Sequence, residues 1–174
     1  HDFHITVTLA DFNIKVFQGD EVILDAPVGV AADNTPSPGG TYYTTSLLQP
    51  PDPNSVYGTY AYGLSAFSEV LESFSGGPGQ LGIHGTNDDA SIGTEVSHGC
   101  IRIEHPVALA QFALKGMPEW TEDRIREAMG RGESATLRLA EPVPVLIAYG
   151  TLIVKAGRTH FFDDIYGHDR RLDA

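Results

Sequence analysis

The sequence predicts a mostly β, sandwich-like domain with two helices placed after its single cysteine. β-Branched segments separated by short turn sequences open the chain, similar segments return near the C-terminus, and helical periodicity is concentrated between them. A chain of 174 residues can bury roughly 70% of its unfolded surface as one domain. We therefore expect one domain over residues 1–174, with a core at about 3–141 and a C-terminal strand extension at 142–174.

The first third of the chain is typical of antiparallel sheet. "FHITVTL", "FNIKVFQ" and "EVILDAPVGV" are partly alternating segments separated by "ADFN" and "QGD", which predicts a meander with tight turns. The next stretch is rich in Pro, Gly, Asn and Tyr, so we expect strand fragments within long connections. Its tyrosines either line a sugar-stacking groove or, as we favour, anchor loops: Tyr42, Tyr43, Tyr57, Tyr60 and Tyr62.

Helical spacing occurs in three places. "LSAFSEVLESFS" carries Leu64, Phe67, Val70, Leu71 and Phe74 at helical intervals, which predicts a short helix before a Gly-Gly pair. "EHPVALAQFALKG" and "WTEDRIREAMGRG" predict the two helices that follow the cysteine, the second with Thr121 as its N-cap. The tail returns to strand-forming residues, with "KAGR" as a hairpin turn.

Charge and hydropathy exclude several classes of partner. Eleven Lys and Arg against 23 Asp and Glu give a net charge of −12, which repels nucleic acid phosphates and anionic lipids. The longest apolar run, residues 143–154, is interrupted by Pro144 and Gly150 and is shorter than the roughly 20 residues of a spanning helix. We therefore expect no nucleic acid partner and no membrane segment. Because the chain begins at His1 without an apolar leader, a signal peptide is expected to have been removed or to lie outside it.

The single cysteine, Cys100, is either a small packing residue or a reactive thiol, because it has no partner for an intramolecular disulfide. If "SHGCIR" is extended, then His98, Cys100 and Arg102 point to one face. A free thiol with a pKa of about 8.5 needs a neighbouring histidine to become a good nucleophile at neutral pH. His98 and His84 are both candidates for that base.

His84 lies sixteen residues before Cys100 and reaches it only if "TNDDASIG" turns the two segments together. That stretch has the Asn, Asp, Ser and Gly content of a loop, with apolar residues on both sides to anchor its ends in sheet. The planar fork of Arg102 is suited to a substrate carboxylate. One patch therefore offers a nucleophile, a base and an anion clamp, although the residues alone leave packing roles open.

The stretch "IHGTNDDASIG" followed by "SHGCIR" resembles the catalytic motif of the L,D-transpeptidase family, the YkuD-type domain that cross-links bacterial peptidoglycan. Upstream, "VILDAPVGVAADNTPSPGGTYYTT" is similar to the same family, so the resemblance runs from about Phe3 to Ile103. The tail resembles instead the C-terminal segment of larger periplasmic L,D-transpeptidases of Gram-negative bacteria, with its PV-x-I-x-Y and DIY-x-x-D patterns.

This resemblance implies residue roles by matching position. Cys100 is implied as the nucleophile and His84 as its general base, with the backbone carbonyl of Gly85 orienting the imidazole. The backbone N–H groups near Cys100 are implied as the oxyanion hole. Gly99 is implied to contribute to that oxyanion hole, and the remaining motif residues are implied to line the site or hold substrate: Ser97, His98 and Arg102.

The implied reaction forms 3-3 cross-links through a cysteine thioester and releases D-alanine from tetrapeptide stems. An L,D-carboxypeptidase using the same site and a non-catalytic cell-wall-binding module are the alternatives. The resemblance implies no metal and no cofactor, and the seven histidines lack a zinc-binding spacing. It also implies peptidoglycan stem peptides as partners, an extracytoplasmic location in the periplasm or cell wall, and a monomer.

Overall fold

A computed structural model describes residues 2–50, 52, 54–72, 79–104, 106, 127, 135–138 and 141–172. Within these residues it contains twelve β-strands, a 3₁₀ turn at Asp89–Ser91 and one short α-helix, α1, at His168–Leu172. The strands are β1 Phe3–Thr8, β2 Asn13–Gln18, β3 Glu21–Ala31, β4 Gly40–Gln49, β5 Ala61–Phe67, β6 Gln80–His84, β7 Glu95–Ser97, β8 Ile101–Ile103, β9 Ala135–Arg138, β10 Pro144–Ala148, β11 Leu152–Lys155 and β12 Arg158–Phe161.

The predicted N-terminal meander is confirmed. β1 pairs antiparallel with β2, and β2 pairs antiparallel with β3 across a bulge at Val16–Phe17. In β1 the side chains of Phe3, Ile5 and Val7 are buried while the intervening residues are partly exposed. This alternation places every second residue of the strand in the core.

The main sheet closes on itself. Its strand order is β10-β1-β2-β3-β8-β6-β5-β4-β9, and β10 also pairs with β4. Val145 in β10 thus faces Ile5 of β1 in a parallel pair and Tyr42 of β4 in an antiparallel pair. The result is a ring of strands around one apolar core, with 49% strand against 7% helix. The mostly β fold class is confirmed.

The short helix predicted over residues 64–74 is wrong for every described residue in that range. Residues 61–67 form strand β5, in which Tyr62, Leu64 and Ala66 are buried and Phe67 is exposed. The spacing of Leu64 and Phe67 fits one helix face, but β4 and β6 pair with β5 on both sides and impose the two-residue period of a strand. Residues 68–72, which include Val70 and Leu71, are not helical either. Residues 73–78, which include Phe74, lie outside the described residues.

The predicted hairpin at "KAGR" is confirmed between β11 and β12, where Lys155 pairs with Arg158. Ala156 and Gly157 both have positive φ, +50° and +72°, as a two-residue type I′ turn requires. The two helices predicted after Cys100 fall on residues 104–116 and 120–132, of which only 104, 106 and 127 are described; Pro106 and Glu127 are helical. In the described part of the chain, no helix has the length and apolar character needed to cross a membrane.

Candidate active site

Two neighbouring strands bring His84 and Cys100 together. β6, which ends at His84, pairs in parallel with β8, which begins directly after Cys100, and Ile83 lies opposite Ile101. A parallel pair needs a crossover connection, and residues 85–100 supply it through the 3₁₀ turn and β7. The segments that carry His84 and Cys100 are therefore adjacent, as predicted, but a crossover connection joins them and not a simple turn.

The extended backbone predicted for residues 98–100 is wrong. β7 ends at Ser97, and Gly99 has a φ of +117°, a conformation that favours glycine. A Cβ atom at Gly99 would also lie 2.6 Å from Cδ2 of Leu81. This turn leaves His98 exposed and Cys100 buried, so the two side chains do not share a strand face.

Hydrogen bonds from two directions hold the turn around Cys100. The Ser97 hydroxyl donates to the carbonyl of Cys100 at 2.5 Å. The carbonyl of Ser97 accepts bonds from the Ala32 N–H at 3.0 Å and from the Thr35 hydroxyl at 3.3 Å. The buried Ser97 hydroxyl is thus engaged with the backbone of the nucleophile candidate, which fixes the peptide that follows Cys100.

The imidazole of His84 is oriented by its neighbour. Nδ1 lies 2.5 Å from the backbone oxygen of Gly85, which only accepts hydrogen bonds, so Nδ1 carries the proton. In the neutral ring Nε2 then has the free lone pair. The ring of Tyr57 contacts that of His84 edge-on, with centroids 5.1 Å apart and an interplanar angle of 72°. Both contacts restrict the orientation of a side chain that is 5% exposed.

Burial keeps both reactive groups neutral. Desolvation lowers the pKa of His84 to about 4, opposed by its bond to Gly85 and assisted by the positive charge of Arg102. Desolvation also raises the pKa of the Cys100 thiol, while a hydrogen bond with the Gly82 backbone and the charge of Arg102 act in the opposite direction. At neutral pH the site therefore holds a thiol and an uncharged imidazole that can accept a proton.

Two pockets meet at this pair. A groove of about 240 Å³ lies over β4, β5 and β6, and a second pocket has a volume of about 40 Å³. His84, Cys100 and Tyr57 line both pockets. Ser97, His98 and Arg102 line only the smaller pocket. Three predicted site residues thus join the nucleophile and base candidates at one pocket, although His98 and Cys100 reach it from a turn.

Arg102 lines this pocket and also has one buried donor atom. It lies on β8 between the buried Ile101 and Ile103. Among the buried side-chain nitrogen and oxygen atoms of the described residues, its Nε is the one without a hydrogen-bond partner. The side chain as a whole is half-buried and lines the pocket, so the guanidinium can bind a carboxylate placed there. This position fits the predicted role of an anion clamp.

Tyr57 lines both pockets, whereas its sequence context favoured a loop anchor over a groove-lining role. Its loop is held over β6 because Gly58, with a φ of +63°, packs where a Cβ would lie 2.8 Å from Cα of Gly85. Asn87 reinforces the contact by donating from Nδ2 to the carbonyl of Asn54 at 2.9 Å. The sequence signal was weak, since an aromatic residue before a glycine is common in loops.

The comparisons with known proteins identify the family of the chain. Residues 2–122 match the family model of YkuD, the L,D-transpeptidase catalytic domain. The chain belongs to the YkuD family. It is 29% identical over 103 residues to the YkuD protein of Bacillus licheniformis, covering 59% of this chain and 54% of the relative. It is 30% identical over 116 residues to YkuD of Bacillus subtilis strain 168, covering 66% and 62%.

The L,D-transpeptidase assignment is provisional in the names of both YkuD relatives, and the chain spans little more than half of their lengths. Among solved structures, Bd1075 of Bdellovibrio bacteriovorus superposes with a TM-score of 0.53 and 18% identity, covering 99% of this chain and 54% of that one. This likeness shows a shared fold.

No group of three or more metal-ligating side chains occurs among the residues that the structure describes.

Proposed function

We propose that this YkuD-family domain is a peptidoglycan L,D-transpeptidase that forms 3-3 cross-links through a thioester on Cys100. The observation that carries the proposal is the shared lining of both pockets by Cys100 and by a neutral His84 whose Nδ1 is bonded to Gly85. A buried thiol with a correctly oriented base is the arrangement of a cysteine acyltransferase. Exposure of 7% for Cys100 limits access of bulk water to the sulfur.

In the proposed first step, Nε2 of His84 accepts the proton of the Cys100 thiol. Sγ attacks the carbonyl of the diamino acid that precedes the terminal D-alanine, and the carbonyl oxygen becomes an oxyanion facing the backbone N–H groups near Gly99 and Cys100. The C–N bond then breaks, His84 returns its proton to the leaving amine, and D-alanine departs. The product is a thioester between the stem and Cys100.

In the second step an amine of another stem peptide attacks the thioester. His84 takes a proton from that amine, the C–S bond breaks, and the proton returns to Sγ. Cys100 lines two pockets, which supports a transfer between two peptides that occupy one pocket each. If water takes the place of the amine, the same chemistry is that of an L,D-carboxypeptidase.

Arg102 is proposed to bind a carboxylate of the stem. Arg102 lines the smaller pocket beside Cys100, and a guanidinium binds a carboxylate with two parallel hydrogen bonds. Stem peptides as partners imply an extracytoplasmic location, which is proposed with the reaction. The net charge of −12 is consistent with a partner other than nucleic acid or anionic lipid.

The proposal is tested by incubating the protein with a disaccharide-tetrapeptide and analysing the products by mass spectrometry. We expect a cross-linked dimer with loss of one D-alanine. Tripeptide without dimer would identify a carboxypeptidase. Unchanged substrate would contradict both activities. His84→Ala should abolish the dimer, whereas His160→Ala, on the exposed strand β12, serves as the matched control and should retain it.

A further inference from the structure

A buried serine outside the motif contacts the peptide in front of the nucleophile. The Ser37 hydroxyl, in a side chain that is 4% exposed, donates to the carbonyl of Gly99 at 2.9 Å. That carbonyl and the N–H of Cys100 belong to one planar trans peptide and point in opposite directions. Ser37 therefore fixes the direction in which the Cys100 N–H points.

Ser37 is itself held by a residue from the far end of the chain. The hydroxyl of Tyr166 donates to the carbonyl of Ala31 at 3.1 Å and accepts from the Ser37 N–H at 3.4 Å. Tyr166 is 5% exposed and lies 129 residues after Ser37. Its single hydroxyl is thus hydrogen-bonded to both ends of the segment that runs from Ala31, the last residue of β3, to Ser37.

Tyr166 is fixed in turn within the C-terminal segment. Its ring stacks on that of Tyr149, with centroids 5.2 Å apart and planes 15° apart, and its N–H donates to the Tyr149 hydroxyl at 3.2 Å. The Tyr149 hydroxyl donates to Oδ1 of Asp164 at 2.5 Å, and the carboxylate also accepts the N–H groups of His168 and Asp169. The chain of contacts therefore runs without a break from α1 to the nucleophile.

We infer that Ser37 and Tyr166 are positioning residues that aim the Cys100 N–H at the oxyanion formed during acylation. The inference rests on the proposed function, because it requires a thioester-forming attack at Cys100. It assigns a role to the C-terminal segment, whose buried tyrosine acts on the reaction through the Ser37 and Gly99 backbone. An amide that is held in place in advance stabilises an oxyanion without reorganising during the reaction.

Two reactions of the same thiol separate this role from general support of the fold. Acylation by a carbapenem passes through an oxyanion, whereas alkylation by iodoacetamide displaces iodide at a saturated carbon and forms none. Loss of oxyanion positioning should slow only acylation. Distortion of the thiol or its base should slow both reactions.

The test measures both rates by intact-mass spectrometry for the wild type, Ser37→Ala, Tyr166→Phe and the control Tyr42→Phe. Tyr42 also donates its hydroxyl to a nearby carbonyl, that of Gly39, at 3.1 Å. Ser37→Ala should lower the limiting acylation rate by about 10- to 100-fold with an unchanged half-saturating concentration. Tyr166→Phe should lower it by about 3- to 10-fold, since it acts through Ser37. Alkylation rates should stay at the wild-type value, and Tyr42→Phe should match the wild type in both reactions.

Two results would overturn the positioning role while leaving the proposed function intact. One is wild-type acylation by both Ser37→Ala and Tyr166→Phe, and the other is an equal slowing of acylation and alkylation. A wild-type protein that is alkylated at Cys100 but neither acylated by the carbapenem nor active on the disaccharide-tetrapeptide would overturn the proposed function, and the positioning role with it.

Discussion

The buried, neutral state of His84 predicts a specific pH dependence of stability. In the unfolded chain this histidine titrates at its ordinary pKa of 6.5, and in the folded protein its pKa is about 4. Between these values the unfolded state binds the additional proton, so the free energy of unfolding falls as the pH falls from 6.5 to 4. Below pH 4 both states are protonated and this contribution levels off.

The magnitude follows from the two pKa values. A difference of one in pKa corresponds to about 1.36 kcal/mol, so a fall from 6.5 to about 4 corresponds to about 3 kcal/mol. Other groups titrate in the same range, and the comparison with His84→Gln, which cannot be protonated, removes their contribution. Relative to this variant, the wild type should lose about 3 kcal/mol between pH 7 and pH 4.

Urea unfolding of both proteins at half-unit pH steps measures this difference. The matched control is His160→Gln on the exposed strand β12, which should follow the wild type across the range. Parallel curves for the wild type and His84→Gln would refute the reasoning. They would mean that His84 is protonated as readily in the folded protein as in the unfolded chain, and that it is not the desolvated base described above.

Three further predictions concern the reaction. Acylation of Cys100 should rise with pH through about 4, where His84 becomes neutral, and then stay level through pH 7; a midpoint near 6.5 in a rate profile would contradict the burial of the base. Gly99→Ala should lower the free energy of unfolding by about 1–3 kcal/mol and abolish acylation, because its Cβ meets Leu81. Gly93→Ala, where φ is +80° and nothing lies within 4 Å of the added Cβ, should be acylated normally in the same assay. Arg102→Lys should raise the half-saturating concentration of the tetrapeptide about tenfold, since an ammonium cannot form the paired bonds of a guanidinium; unchanged kinetics would make Arg102 structural.

Local patterns were sufficient for most of the sheet. The alternation in β1 and the turn residues of "KAGR" act over a few neighbours, and both predictions were correct. The interval from Leu64 to Phe67 is ambiguous because it fits a helix face equally well. Only pairing with β4 and β6, which are distant in sequence, decides for a strand.

In the candidate site, too, some features follow from the local sequence and others only from contacts between distant segments. The motif residues His84, Cys100 and Arg102 were found from their chemistry and from the family resemblance, and the structure brings them to one pocket. The turn at Gly99 could not be derived from spacing, since an extended segment also places His98 near Cys100. The contact between Ser37 and Tyr166 spans 129 residues and has no local signature, so only the folded structure shows it.

The most direct test of the central claim uses the single cysteine as its own control. A carbapenem offers a strained amide carbonyl and a carboxylate to a site proposed to bind both, so attack by Cys100 should leave a thioester. Intact-mass spectrometry should show one adduct per chain, absent in Cys100→Ala and formed far more slowly in His84→Ala. An adduct that persists in Cys100→Ala, or that forms at the wild-type rate in His84→Ala, would contradict the assignment of nucleophile and base.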